Sequence, residues 1–561
     1  MIIVFAVASG LGFLSYPTFV IQTIALYAIA AYGLDIAAGY AGVLSLGHGA
    51  AFAVGGYAVA IFSATHGQPF WITLPLSMVA GALLGILMGA PATRLGGLGL
   101  AMISLGFALI AGDVALSAAT YTGGQQGIVG VVPTWGFGLQ SAALDSTGVL
   151  VLILVCLLLT YVVHAAYRVS HLGRAAFAVK DEPLGARALG IAVGRTQITA
   201  VSAASAFGGL AGGLYVYMNQ LVSPDIAALS LSFLFLIMVV FGGAGNQYGP
   251  LIGAAVIGSL PIFLSKYTSI NNYIYAAMLL VVVLLRPRGI VGRTGKLARL
   301  PQVRSQPRED GPAHRAGGRD SFTLRCADLS RSFGGVRALH EVSLTVAEGE
   351  VVAIVGPNGS GKTTLLNVLS GYYPPSAGNV FLGGDNISAA GVTAIARAGV
   401  GRTFQTPKIF GSLSPSEHIA LALSQAHGRP GGAGDAELRI SYDLLDAAGL
   451  ALHGDHRESR DLSHGQRRFL ELAMAIARRP VVLLLDEPAT GLSAEEGDIL
   501  ADTIRAVTRE GVGVLVVEHH MEIVREIADR AHVLHLGQTL WTGPAHAMGD
   551  SELVRNAYLG R

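Results

Sequence analysis

Val351-Val-Ala-Ile-Val355 runs directly into Gly356-Pro-Asn-Gly-Ser-Gly-Lys362-Thr363. The first five residues are continuously apolar, as in a strand buried on both faces. The next eight match G-x-x-x-x-G-K-[ST], and a helix is expected from about Lys362. Strand before and helix after are the context that a phosphate-binding loop requires. Its glycines let backbone N–H groups turn toward phosphate oxygens, and the helix N-terminus adds positive partial charge. Gly356, Asn358, Gly359, Ser360, Gly361, Lys362, Thr363 and Thr364 are the candidate nucleotide contacts. Lys362 has the reach for β- and γ-phosphates, and the Thr363 hydroxyl suits Mg²⁺. The bland alternative is a glycine-rich turn without a ligand.

Downstream, Val481-Val-Leu-Leu-Leu485 ends in Asp486 and Glu487. A buried strand that ends in two carboxylates supplies a metal ligand, Asp486, and a base to orient and deprotonate water, Glu487. Standing alone, such a pair is more often a solvated strand end; beside a phosphate loop it reads as catalytic. Val512–Val517 is a further apolar run, and from Phe322 onward such runs alternate with helix-like stretches. This pattern predicts a parallel α/β sheet.

The N-terminal half is different in kind. Of 73 charged residues in the chain, 15 fall in residues 1–290 and 58 in the last 271. Overall 52% of residues are hydrophobic and 13% charged, against about 25% charged in soluble domains. A helix needs about 20 apolar residues to span a bilayer. Candidate segments lie near 2–14, 17–38, 43–65, 71–92, 98–118, 149–167, 198–222, 228–243, 249–265 and 271–286. About eight of these are expected to span. Met1–Leu14 lacks a basic n-region and reads as part of a first membrane segment, not a cleaved signal. Arg168, Arg174, Lys180, Arg187 and Arg195 make one loop basic, and Arg286–Arg319 is basic too. Both are expected on the cytoplasmic side, with the nearly uncharged Tyr121–Asp145 loop opposite. Residues 293–320, rich in Arg, Pro and Gly, read as a linker between a membrane domain over 1–292 and a soluble domain over 321–561. Cys156 and Cys326 make neither a disulfide framework nor a metal cluster, and the net charge of +1 gives no argument for nucleic acid.

A third element of the soluble half, Leu462-Ser463-His464-Gly465-Gln466, precedes a helix and lies 20 residues before Asp486. With the phosphate loop and the acidic strand end, it resembles the signature of the ATP-binding-cassette (ABC) superfamily, LSGGQ. The resemblance implies an α/β P-loop ABC nucleotide-binding domain that hydrolyses ATP with Mg²⁺. By the same resemblance Gln405, in Arg402-Thr-Phe-Gln405, is the glutamine that senses Mg²⁺ and contacts the membrane domain. His519 is the switch histidine at the γ-phosphate, and Phe333 is the aromatic that stacks on adenine. Catalysis would rest on Glu487, His519 and Gln405, and metal binding on Thr363, Gln405 and Asp486. Ser463, Gly465 and Gln466 would complete the ATP site of another cassette, so one such domain would not work alone. His464 departs from the signature, Pro488–Glu495 departs from the commoner SALD that follows the catalytic glutamate, and His520 stands where related subunits often have Asp.

The membrane half resembles the M-type permease of the branched-chain amino-acid import family. The resemblance lies in Gly39–Phe52 with Gly55, Gly56 and Tyr57, in Gly173–Ile191, and in Phe241–Ala254. The soluble half is similar to the companion G-type subunit, down to its ending Ala557-Tyr558-Leu559-Gly560. The implied fold is an all-α polytopic transmembrane domain of the type II-like ABC importer permease. Gly173–Ile191 is short, polar and Ala-rich, and suits a coupling helix docking near Gln405; as a bland alternative it is a solvated topological loop. Gly42–Gly49 and Gly242–Gly249 interrupt apolar stretches, one in each half of the permease, and paired broken helices point to a transport path. Ser45, Gly47, His48, Gly242 and Gly243 are the candidates there. The alternative is that these glycines allow close packing and that His48 bonds a backbone carbonyl.

The expectation is a fused permease–ATPase subunit importing branched-chain or related amino acids across the bacterial inner membrane, with its ATPase domain in the cytoplasm. A second permease, a second ATPase and an extracytoplasmic solute-binding protein would be its partners, in a lipid surround. Alternatives are a homodimeric importer of another small solute such as urea, an amide or a carboxylate, and an ATP-gated channel or signalling module. Glu487 with His519 argues against a gate. The absence of long charged helices between the membrane segments argues against an efflux pump.

Overall fold

The computed structural model describes residues 15–92, 96–137, 142–260, 277, 280, 289–291, 322–426, 434–450 and 457–559. They fall into two compact units: Met1–Lys180 with Val193–Thr294, and Asp181–Ala192 with Gly295–Arg561. The expected linker over 293–320 lies outside the described residues.

The first unit is helical: α1 (Ser15–Asp35), α2 (His48–Ala60), α3 (Phe70–Ala92), α4 (Gly96–Ser117), α5 (Ser146–Val169), α6 (His171–Asp181), α8 (Val193–Asn219), α9 (Leu229–Gly242) and α10 (Gly249–Ile257), with α7 (Pro183–Ala188) in the second unit. Six helices among the described residues are long and apolar enough to cross a membrane, within Pro17–Tyr40, His48–Thr65, Phe70–Pro91, Gly99–Ser117, Ser146–Val169 and Val193–Asn219. One of the expected spans comes out differently. The segment 228–243 gives a helix of 14 residues, or about 21 Å at 1.5 Å per residue, short of a core about 30 Å thick. Of 249–265, residues 249–257 are helical and 261–265 lie outside the described residues, as do 2–14 and, apart from Ala277 and Leu280, 271–286.

The helices form two layers. The apolar windows of α1, α2 and α8 are 72%, 67% and 67% buried, against 28% for each of α3, α4 and α5. Leu83 and Leu87 of α3, Leu109 and Ile110 of α4, and Leu158 and Leu159 of α5 point outward, exposed. Apolar side chains without protein partners suit hydrocarbon, and helices satisfy their own backbone there. The inner layer is built on backbone contact. A Cβ added at Gly55 would land on the backbone of Gly209, and one at Gly212 on that of Phe52. Small residues thus let α8 lie directly against α2, which dispersion then rewards.

The second unit holds two sheets. Strands β1 (Phe322–Phe333), β2 (Val336–Ala347), β4 (Ala377–Leu382) and β5 (Asp385–Asn386) form an antiparallel sheet in the order β2-β1-β4-β5. Strands β3 (Val351–Val355), β6 (Val400–Arg402), β7 (Val482–Asp486), β8 (Gly513–Val517), β9 (Arg530–His535) and β10 (Gln538–Pro544) form the other, in the order β10-β9-β3-β8-β7-β6. All its pairings are parallel except β9 with β10. β3, β7 and β8 are buried at every position, which is why they read as unbroken apolar runs. Leu324 and Val342 of the first sheet and Val352, Val482 and Leu515 of the second share one core. The antiparallel sheet was not expected from the sequence.

Candidate functional site

Parallel strands side by side deliver their C-terminal ends to one edge, where open α/β sheets place ligands. Val517 at the end of β8 is level with Asp486 of β7 on one side and Ile354 of β3 on the other. Gly356, Glu487 and Glu518 therefore leave the sheet together.

The loop after β3 bends through Gly356, Gly359 and Gly361, at φ of 154°, 82° and 102°. The last two lie in the left-handed region that favours glycine. Helix α11 (Lys362–Leu369) begins at once. The Lys362 amine is buried and donates to the carbonyls of Gly356 at 2.8 Å and Pro357 at 3.0 Å. Burial lowers its pKa, while Glu487 and Asp486 pull it back up. Ser360 Oγ is buried without a hydrogen-bond partner, a polar atom of the loop left for a ligand. A cation and an orphaned hydroxyl in a glycine cradle at a helix N-terminus fit a nucleotide's phosphates. Asn358 and Thr363 are exposed beside them, and Thr364 is half-buried.

Asp486 is buried at the end of β7, and burial raises its carboxyl pKa against the pull of Arg402. Arg402 Nη2 lies 3.8 Å from Asp486 Oδ2. The same guanidinium donates to Leu366 O at 3.3 Å, to Asn367 Oδ1 at 2.7 Å and to Ser370 Oγ. It therefore ties the end of β7 to the helix that follows the phosphate loop. Glu487 follows at φ 47°, a left-handed conformation that is unusual for a side chain of its size. Such strain persists where the surroundings over-determine it, and functional sites are the usual place. Gln405 Nε2 donates to Glu487 Oε2 at 3.0 Å, and His519 Nδ1 lies 4.0 Å from the same oxygen. The structure thus brings Lys362, Asp486, Glu487, Gln405 and His519 together.

The other expected residues stand apart. Ser463 caps α15 (His464–Ala477) in a reciprocal capping box with Gln466. Gly465 is buried where a Cβ would meet the Glu496 carboxylate. Among the described residues no hydrogen bond joins this helix start to Lys362, Asp486 or the Glu487 side chain. Phe333, half-exposed at the end of β1, meets Tyr373 edge-on at 5.0 Å, with the Arg331 guanidinium 4.7 Å over its ring.

Sequence reading missed several supporting residues. Arg468 on α15 donates to Gln405 O at 2.8 Å, to Glu487 O at 3.1 Å and to Phe404 O. Glu471, one turn on, accepts from Lys408 N at 2.7 Å and Phe404 N at 3.3 Å. Glu518, fully buried, accepts from Ala489 N at 2.9 Å and His519 N at 3.2 Å. Only Glu518 had a signal, as an acid inside Val517-Glu-His519.

The segment Asp181–Ala192 packs on this unit. The expected single helical insertion over Gly173–Ile191 is two helices, α6 and α7. Glu182 between them is extended, at φ −150° and ψ 87°, because a proline disfavours helix in the residue before it. The carbonyl of Ala188 accepts from Arg478 at 2.9 Å and that of Gly190 from Arg397 at 2.8 Å. Lys408, three residues past Gln405, reaches Glu182 at 3.4 Å.

In the first unit both glycine-rich interruptions are breaks in helix. Residues 41–47 are unwound between the π-helical end of α1 and the start of α2, and 243–248 turn between α9 and α10. Gly242 meets Gly249 backbone to backbone, and Gly243 has φ 116°. Ser45 and His48 are buried, and His48 Nε2 is 2.9 Å from Ala30 O, the arrangement of the packing alternative. Gly47 packs against Met88 and Ser104. The sequence reading passed over Asp35 and His164, both fully buried, which meet at 3.0 Å; the other Asp35 oxygen accepts Gly245 N at 2.7 Å.

Two family models match. Residues 16–285 match the permease component of branched-chain amino-acid transport systems, and residues 339–490 match ABC transporters. The chain is 36% identical over 248 residues to the high-affinity branched-chain amino-acid transport ATP-binding protein BraF of Pseudomonas aeruginosa, covering 97% of that protein and 42% of this chain. The chain belongs to the branched-chain amino-acid family of ABC transporters. The LivG ATP-binding protein of Salmonella typhimurium is 34% identical over 244 residues, covering 95% of its length and 41% of this chain. A crystal structure of a nucleotide-free ATP-binding cassette from an ABC transporter aligns along all of its own chain and 43% of this one, at 24% identity and TM-score 0.38. This ABC transporter chain thus joins a permease and an ATPase, and its cassette binds ATP and couples hydrolysis to transport.

Proposed function

We propose that this chain imports branched-chain or related amino acids as the fused permease and ATPase subunit of a larger complex in the bacterial inner membrane. Residues 1–292 form the permease, and 321–561 form the cytoplasmic ATPase. The names of the BraF and LivG relatives, both of branched-chain amino-acid transport, support the substrate class. A second permease, a second ATPase and an extracytoplasmic binding protein are the partners this reading requires.

The observation that carries the catalytic part is the convergence of Lys362, Asp486, Glu487, Gln405 and His519 at one edge of the parallel sheet. ATP binds the glycine cradle with Lys362 and Ser360 at its phosphates and Phe333 at its base. Thr363, Asp486 and Gln405 hold Mg²⁺, which supplies charge neutralisation when bound. Glu487 orients and deprotonates the attacking water, with Gln405 and His519 fixing its carboxylate. Ser463, Gly465 and Gln466 act on the nucleotide of the partner cassette. Ser45, Gly47, His48, Gly242 and Gly243 mark the solute path.

Glu487→Gln keeps the shape but removes the base, and general-base loss costs about 10²–10⁴-fold in rate. Solute uptake by cells carrying this variant is expected to stop, while a fluorescent ATP analogue still binds the purified protein. Undiminished uptake would refute the pump.

A further inference from the structure

Helix α15 starts at the signature serine and passes beneath the hydrolytic centre. Two of its side chains, one turn apart, hold the loop on which Gln405 sits. Arg468 donates to the carbonyls of Phe404, Gln405 and Glu487. Glu471 accepts the amides of Phe404 and Lys408, on either side of Gln405. Both side chains are buried. Five backbone groups of the loop and the strand end thus have partners on one rigid helix. The contact between Gln405 and Glu487, 3.0 Å long, is held at both of its backbone ends.

We propose that Arg468 and Glu471 are positioning residues for ATP hydrolysis: they carry the placement of the helix that begins at Ser463 to Gln405 and the Glu487 carboxylate. This rests on the catalytic reading of Glu487 and Gln405 above. A carboxylate is needed at position 471, because two amides approach it and only an ionised carboxyl offers an acceptor to each. Arg468 on the same helix and Arg402 on β6 face Glu471 and favour its charge, as do the two amides, and Tyr372 lies nearby. Burial outweighs them and pushes the Glu471 carboxyl up to about 7. Below that pH the added proton faces an amide and the grip on the loop fails, so hydrolysis rises with pH through about 7 along a limb that belongs to Glu471.

The test uses the full-length chain with the subunits that purify with it. Hydrolysis by this chain's own site is the rate lost in Glu487→Gln; if nothing is lost there, the catalytic reading of Glu487 fails irrespective of Glu471. Against that span, Glu471→Gln is expected to lower kcat about 10²-fold, the effect of a misplacement of about 1 Å, with KM for ATP unchanged. It is also expected to flatten the pH limb. Glu471→Asp should recover part of kcat and the limb. It also serves as the reporter if the Gln variant does not fold, since a merely structural role predicts no limb to recover. Wild-type kcat or an unaltered pH limb in Glu471→Gln, or no recovery of kcat and limb in Glu471→Asp, overturns the proposal.

Discussion

His532 sits in β9 with Nδ1 sharing a hydrogen bond with Thr542 Oγ1 at 2.9 Å and Nε2 buried without a partner. Burial, with Arg530 beside it, lowers its pKa to about 4. The unfolded chain takes up this proton near pH 6.5 while the folded domain refuses it. His532 therefore contributes stability above pH 6.5 that is lost as pH falls toward 4, amounting to about 3 kcal/mol. Thermal unfolding of wild type and His532→Gln compared over pH 7 to 4 should show a steeper decline in wild type; parallel curves would exclude the effect. Glu471 works in the opposite sense. Its raised pKa means its ionisation costs stability as pH rises through about 7, a cost that suits a group kept for positioning. Neither residue is legible in the sequence, because their shifts come from burial by strands and loops far away in the chain. Lys362, Asp486 and Glu487 were legible because their chemistry is local, set by the residues on either side.

At the scale of elements, α7 has six residues and is held mainly through its backbone. Gly185 lies against the Lys408 carbonyl, where an added Cβ would come within 2.7 Å. Gly185→Val should therefore push α7 off the loop that carries Gln405. Overpacking typically costs about 1–3 kcal/mol, or about 5- to 150-fold in coupling. Uptake is expected to fall by such a factor while binding of an ATP analogue is kept, and equal uptake would show that α7 tolerates displacement. Elements were legible to different degrees. The run Val351–Val355 reads as a strand, and is one, because both its faces are covered. β1 and β2 alternate buried and exposed positions among polar residues, so no apolar run announces them. The stretch 228–243 reads as a span because its residues are apolar wherever they lie. Composition does not show that α9 stops after 14 residues and packs on α10 through Gly242, Gly249 and Gly253.

The whole molecule carries one G-x-x-x-x-G-K-[ST] motif and one signature, and among the described residues no hydrogen bond joins the two. Ser463 is exposed at the head of α15, its side chain capping the helix by accepting from Gln466 N. If the signature acts across a pair of cassettes, Ser463→Arg disables the partner's site and leaves this chain's own residues intact. Removing a preorganised donor from a reacting phosphate should lower the rate at that site by about 10²-fold. The genetics then separates the two possible assemblies. In a homodimer, a Glu487→Gln chain and a Ser463→Arg chain complement each other. The Glu487 of the second works with the Ser463 of the first, so mixed dimers recover one working site. In a complex with a different ATPase, each assembly holds one copy of this chain, and co-expressing the two variants restores nothing. Transport assayed in cells that express both variants, with differently tagged copies captured in turn, reads the outcome directly. No recovery, with one tag per complex, is the result expected of the heteromeric importer. Recovery would place two copies of this chain around the transport path.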